Sequence, residues 1–302
     1  MTRIKNLFCA VIYLFSMIWF SAGAQQNPKP ATRKKVIFIA SLDSHPKGQH
    51  EYNGGITFLA RKLKEAMPDI DTTVYHNGWP KDPQALQHAN TVVLYSEGAQ
   101  ENIIIPHFPE IENLMNKGAG LVMIHFALDV PKGRDADKLR DLVGGCFETD
   151  WSVNPFWTPE IKSLPQHPVT NGVKPFAVLD EWYYHLRFVQ DRKNITPILQ
   201  TLPPDSTLNR PEGTHTNNPF VREAVLKDKT PQIIAWAYER PAGGRAFGFT
   251  GGHTHANWRN DNFRMLVLNA IVWTAQSSIP KNGIQTKTPE LEELDKLTKP
   301  GK

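Results

Sequence analysis

Gly120-Leu121-Val122-Met123-Ile124-His125 is a glycine, four consecutive apolar residues and a histidine. An apolar run without alternation marks a strand buried on both faces, as inside a parallel sheet. Its neighbours agree. Phe108–Lys117 has the spacing of an amphipathic helix closed by Gly118, and Asp135–Val143 reads as a second helix stopped by Gly144 and Gly145. Upstream, Val36-Ile37-Phe38-Ile39-Ala40 is another buried strand, and Asn53–Ala66 sets Ile56, Leu59, Ala60, Leu63 and Ala66 at helical spacing. Ile70–Tyr75 and Thr91–Tyr95 read as two more strands. This alternation predicts an α/β fold with a doubly wound, mostly parallel sheet, right-handed crossovers and helices on both faces.

The pattern loosens between Trp151 and Lys229, where prolines are frequent and the strand-like pieces Phe156–Ile161 and Ile195–Leu202 are short. We read this as a loop-rich elaboration with edge strands over the carboxyl end of the sheet. Gln232–Tyr238 and Arg245–Thr250 read as a hairpin or adjacent strands joined through Arg240-Pro-Ala-Gly-Gly244. Phe263–Ala275 is the last long helix, with Leu266, Ala270 and Trp273 on one stripe. The tail 279–302, rich in Pro, Lys and Glu, is expected either to pack across the surface or to be loose, with a short helical piece at Glu290–Leu297. The expected organisation is a signal segment at 1–24, a linker at 25–34, one α/β domain at 35–278 and the tail.

Arg3 and Lys5 precede the apolar run Leu7–Phe20, which ends in Ser21-Ala-Gly-Ala24, the layout of a secretory signal peptide. The run is shorter than the about 20 residues a membrane span needs, so no stable membrane anchor is expected. Small residues do not precede Cys9, which argues against a lipid anchor. The expected location is periplasmic or extracellular. Cleavage after Ala24 leaves 278 of 302 residues and a single cysteine, Cys146, so no internal disulfide can form and stability must come from a large core. Loss of Arg3 and Lys5 takes the formal charge from +4 to +2, too small to point to nucleic acid or an anionic membrane as partner. The sequence carries no sign of oligomeric state.

Four segments could carry chemistry. Gly251-Gly252-His253-Thr254-His255 follows the strand-like Arg245–Thr250, giving a turn free of side chains and then two imidazoles. His45-Pro-Lys-Gly-Gln-His50-Glu51 sits between the first strand and first helix, where backbone N–H groups and the helix dipole favour an anion or carbonyl oxygen. His125 ends its strand where α/β proteins place reactive groups. Asp180-Glu181-Trp182-Tyr183-Tyr184-His185, if extended, puts Glu181, Tyr183 and His185 on one face and Asp180, Trp182 and Tyr184 on the other. On residue types alone each segment could equally be structural: a polar turn, a capped helix start, a satisfied core histidine or a strand edge. No Gly-x-Ser/Cys-x-Gly elbow is present, and Cys146 beside Gly145 reads as structural. Eight tryptophans and seven tyrosines suit sugar-stacking surfaces and suit an ordinary core equally well.

Taken in order, His45…His50-Glu51-Tyr52, Gly120–Ala127, His167-Pro-Val-Thr-Asn-Gly172, Asp180-Glu181-x-Tyr183-Tyr184 and Gly251-Gly-His253-Thr-His255 resemble the trehalose-utilisation (ThuA-like) family. The resemblance runs from about Lys35 to Ile284. It implies a flavodoxin-like, class I glutamine amidotransferase-like fold and a role in carbohydrate metabolism, often tied to 3-keto sugars made by partner dehydrogenases. In that superfamily the strand-to-helix turn normally holds a cysteine nucleophile, with its histidine on a C-terminal loop. Here those places hold His125 and His253-Thr-His255, a departure from thiolate chemistry.

The expectation is thus an exported enzyme on a small saccharide, hydrolysing, eliminating or isomerising a 3-keto-glycoside or related oxidised sugar. His50, His125, Glu181 and His253 are the candidate acid/base groups. His45, Glu51, Tyr184, His185, His255 and Trp258 are candidate substrate contacts. His50, His125 and His253 are candidate ligands of one divalent metal ion, and no nucleotide cofactor is expected. One alternative is a noncatalytic carbohydrate-binding protein relying on Trp182 and Trp258. Another is a glycoside hydrolase using the Glu51 and Glu181 carboxylates.

Overall fold

A computed structural model describes residues 33–298. The expected signal segment and most of the linker lie outside these residues. Among the described residues no helix is long and apolar enough to cross a membrane.

The elements run β1 (Lys34–Ala40), α1 (Tyr52–Ala66), β2 (Ile70–Tyr75), β3 (Thr91–Tyr95), α2 (Phe108–Asn116), β4 (Gly120–Ile124) and α3 (Arg134–Val143). Four two-residue strands follow: β5 (Gly145–Cys146), β6 (Phe156–Trp157), β7 (Asp180–Glu181) and β8 (Arg187–Phe188). Then come β9 (Ile195–Thr201), α4 (Pro219–Arg222), β10 (Gln232–Glu239), β11 (Arg245–Phe249), α5 (Asp261–Thr274) and α6 (Leu291–Asp295). The main sheet has seven strands in the order β2-β1-β3-β4-β11-β10-β9. β2, β1, β3, β4 and β11 pair in parallel, while β10 is antiparallel to both its neighbours.

The fold is the doubly wound α/β arrangement expected. Every residue of β3 and β4 is buried, because those strands lie mid-sheet under helices on both faces. Side chains divide strictly by parity. Val36, Phe38, Ala40, Val93, Tyr95, Val122 and Ile124 join one core cluster with α1 and α5. Ile37, Ile39, Val92, Leu94, Leu121 and Met123 join the other, with α2 and α3.

Most differences fall in the elaboration. Phe156–Ile161 shortens to β6, and Ile195–Leu202 is the seventh strand of the main sheet, not a separate piece. It holds Pro197, tolerable because an edge strand leaves one row of N–H groups unpaired. Helix α5 is buried on every side. One flank meets the sheet, and Asn269 closes the other by donating to the Val169 and Asn171 carbonyls at 2.9 Å each and accepting from Ile284 N at 2.9 Å. The tail therefore packs against the fold, burying Ile284 and Leu294.

Candidate active site

Sheet order reverses between β1 and β3, and the segments leaving β1, β4 and β11 meet at the carboxyl edge of the sheet beside that point, where open α/β sheets place ligands. The β1 and β11 segments are knitted by backbone bonds: His50 N donates to His253 O at 2.9 Å and His255 N to Gly48 O at 2.9 Å. The buried Asp180 carboxylate fastens the β11 segment, accepting from Gly252 N at 2.7 Å and Thr254 N at 3.0 Å. Both glycines are required. A Cβ on Gly251 would lie 2.7 Å from the Trp182 ring, and Gly252 has φ +117° with Tyr95 Oη donating to its carbonyl.

Three of the sequence candidates converge. The ring centroids of His50 and His253 are 4.4 Å apart, those of His50 and His125 4.8 Å, and those of His125 and His253 5.5 Å. His50 Nε2 is 2.8 Å from His253 Nδ1, and His125 Nε2 is 3.1 Å from His50 Nε2. The Glu181 carboxylate closes the group, with Oε2 3.2 Å from His253 Nδ1 and 3.4 Å from His125 Nε2. His50 and His125 both sit at positive φ, +46° and +55°. Side chains other than glycine adopt this region at a cost, and such strain clusters at functional sites. At His125 it occurs at the strand-to-turn corner, the place where other α/β enzymes expose a nucleophile.

Partners fix the ring protons. His125 Nδ1 is 2.7 Å from Thr250 O, which can only accept, so this nitrogen carries a proton and Nε2 faces the cluster. His50 Nδ1 is 2.5 Å from Tyr52 Oη, whose own proton points to Glu97 Oε2 at 3.4 Å. His50 Nδ1 is then the donor, and its Nε2 faces His253 and His125. Tyr183 Oη stands 3.1 Å from His125 Nε2. Burial, with nearby carboxylates, pushes the Tyr52 and Tyr183 phenols well above their ordinary range, so both stay protonated donors. Burial alone would raise the Glu181 carboxyl, yet hydrogen bonds and charge from His125 and His253 together hold it down at about 2. Asn154 Nδ2 donates to its other oxygen at 3.0 Å.

His50, Glu181 and His253 line a cavity of about 110 Å³ together with His45, Phe126, Asp129, Phe147, Asn154, Tyr183 and His215, smaller than the about 300–1,000 Å³ usual for drug-sized ligands. Phe156, outside the lining residues, is 53 % exposed, its ring edge-on to His253 with centroids 4.8 Å apart.

Of the proposed substrate contacts, only His45 reaches this cavity. Glu51 is fully buried and accepts from Gly48 N at 2.7 Å, which orders the turn before α1. That removes the Glu51–Glu181 hydrolase pair. Tyr184 is buried against Trp157 and bonded to Thr207 at 2.7 Å, its phenol pushed up to about 12. His185 takes φ +58°, ending the expected strand alternation, and stacks on Trp151. His255 is buried behind the cluster, and burial lowers its imidazole to about 4. Trp182 and Trp258 are wholly buried core residues packed on Phe263.

Asp129, Phe126, Phe147, Asn154, Phe156 and His215 were missed as site residues. Asp129 had a signal, lying four residues past a strand-end histidine. Asn154 and His215 come from the loop-rich region, where no periodicity indicates direction.

A family model described as ThuA, trehalose utilisation, matches residues 39–274. A ThuA-like protein of Bacteroides uniformis superposes with TM-score 0.56 at 17 % identity, covering 83 % of this chain and 95 % of that one. Another, of Parabacteroides merdae, gives TM-score 0.50 at 16 % identity, covering 85 % and 93 %. At such identities the likeness concerns the fold. No curated protein matches the sequence.

Proposed function

This chain belongs to the trehalose-utilisation family, and from that premise we propose that it is an exported enzyme acting on a 3-keto-glycoside or a related oxidised saccharide. Family membership supports the carbohydrate role. The observation that carries the catalytic reading is the convergence of His50 Nε2, His125 Nε2, His253 Nδ1 and Glu181 Oε2 within 4.8 Å of one another at the cavity. Two imidazole nitrogens 3.1 Å apart beside an ionised carboxylate are held together by a shared proton or by a cation bound among them.

Three imidazole nitrogens and one carboxylate oxygen are a donor set for a zinc-class divalent ion. A tetrahedral set at about 2.0–2.1 Å has neighbouring donors about 3.3 Å apart, close to the 2.8–3.4 Å found. The outer contacts also suit ligation, since His125 is oriented by a carbonyl and His50 by Tyr52 and Glu97. Bound there, such an ion would polarise a sugar carbonyl. His50, His125, His253 and Glu181 would hold it, so Glu181 serves as an ionised anchor and not as a proton store.

On the substrate side, a ketone at C3 acidifies the C2 proton and makes elimination or isomerisation accessible to a positioned base. Phe126 and the exposed Phe156 offer apolar faces for a sugar ring. A noncatalytic sugar trap built on Trp182 and Trp258 loses its contacts, since neither ring is exposed. The test is a screen of purified protein against 3-keto and ordinary disaccharides with metal analysis of the same sample. Turnover of keto substrates is expected, and equal binding of both classes with conversion of neither would overturn the reading.

A further inference from the structure

The cavity has a second carboxylate, Asp129. It follows the short turn His125–Leu128 that leaves β4. Its backbone is held on three sides. Asp129 N donates to Phe126 O at 3.0 Å, and its carbonyl accepts from Ala99 N at 3.0 Å and Asn102 Nδ2 at 2.8 Å. A parallel bridge ties it to Phe147, itself a cavity residue. The residue is only 3 % exposed, and no hydrogen bond from a described residue reaches its carboxyl, whose oxygens are not among the sealed polar atoms left without a partner and so keep an opening at the cavity it lines. Buried polar groups are nearly always paired, and one left unpaired costs stability. On this rigid backbone, at a cavity wall shared with His50, Glu181 and His253, the carboxyl is open to a molecule bound in the cavity.

We infer that Asp129 is the proton-transferring group of the cavity, taking a proton from the bound sugar and returning it within the same cycle. The inference rests on the keto-sugar reading above. As base, the carboxylate takes the C2 proton; the C–H electron pair forms the C2–C3 double bond and the C3 carbonyl becomes an enolate. As acid, Asp129 gives that proton to the glycosidic oxygen as the C1–O bond breaks and the enolate collapses to an enone. One proton is taken and one returned, with no oxidant or reductant.

The surroundings suit both roles. Burial raises the Asp129 carboxyl to about 7, so both forms are populated near neutral pH. The Tyr183 phenol and Cys146 thiol, its electrostatic neighbours, are pushed up by burial and stay neutral there. Across the cavity, burial lowers the His215 imidazole toward its neutral form, and Glu181 stays ionised.

The experiment compares wild type with Asp129→Asn and Asp129→Glu on a 3-keto-disaccharide, following turnover across pH and exchange of the C2 proton with D2O. Asp129→Asn should lose about 10²- to 10⁴-fold in kcat and lose C2 exchange, with metal content unchanged. Asp129→Glu should recover part of the rate. A second readout needs no substrate. Wild-type stability should fall as pH rises from about 4 through about 7, because folding disfavours the charged carboxylate, and Asp129→Asn should not show this fall. Wild-type turnover retained in Asp129→Asn would overturn the assignment and leave the enzyme reading standing, as would lost turnover in Asp129→Asn with His215→Ala equally dead and C2 exchange intact. A wild type that converts no sugar would remove the enzyme reading and this inference with it.

Discussion

His50 Nε2 lies 2.8 Å from His253 Nδ1, although the two residues are 203 positions apart. The contact closes because the segments leaving β1 and β11 share backbone hydrogen bonds, and because Asp180 anchors the second of them. A rigid frame of this kind holds the two ring nitrogens in fixed hydrogen-bonding reach of each other.

Purified protein should therefore contain close to one divalent ion per chain, measured by elemental analysis. Chelation should abolish turnover and lower the melting temperature, and restoring the ion should reverse both. An ion present at 100 times its dissociation constant stabilises by about 2.7 kcal/mol, so a shift of roughly 5–10 °C is expected. His50→Ala should lose the ion. Full activity in exhaustively chelated protein would sink the metal centre.

His125→Ala should reduce kcat by about 10²- to 10⁴-fold with the circular dichroism spectrum unchanged, whereas Cys146→Ser should keep near wild-type turnover. The Cys146 thiol is wholly buried with its sulfur 3.8 Å from the Ala136 carbonyl, and burial pushes it up to about 12, so it supplies no thiolate. A folded but inactive Cys146→Ser protein would reinstate thiol chemistry.

The sheet was readable because continuous apolar runs such as Leu121–Ile124 have few other uses. The histidines were readable because a doubly wound sheet brings the ends of β1, β4 and β11 to one edge, whatever the loops do. Glu181 and Tyr183 were placed on a common face correctly, but the alternation stopped at His185, whose left-handed backbone no local pattern announces. Trp182 and Trp258 show the opposite limit: the pattern of an aromatic beside polar residues suits the core and the solvent equally, and only packing on Phe263 decides. Asp129 and Phe156 lie where neither period 2 nor period 3.6 persists, so their direction is set by tertiary contacts alone.

That contrast is testable. Phe156→Ala should raise KM several-fold with a smaller change in kcat and little change in melting temperature, because an exposed ring against the cavity residue His253 is placed to meet a bound sugar and adds little to the core. Trp258→Ala should cost about 3–5 kcal/mol of stability, read by denaturant unfolding, while the folded fraction keeps the wild-type KM. A KM unmoved by Phe156→Ala would remove the proposed sugar platform.

We expect export, and a mature chain that begins at or near Gln25, to be read by Edman or mass-spectrometric sequencing of periplasmic or medium fractions. The basis is the Arg3-to-Ala24 layout. An intact Met1 on membrane-retained material would contradict it.

Asp180 separates positioning from chemistry. Its carboxylate is fully buried and holds Gly252 N and Thr254 N, and it is not among the cavity residues. Asp180→Asn keeps one acceptor oxygen and turns the other position into a donor facing an N–H. One amide is then left buried without an acceptor, at a cost of about 1–3 kcal/mol. The loop carrying His253 would loosen while every cluster residue stays in place chemically. We expect divalent-ion affinity to fall about 10- to 100-fold, the range for losing a group that orients a ligand, and kcat at saturating ion to recover most of its wild-type value. Loss of kcat that persists at saturating ion would instead make Asp180 part of the reacting site.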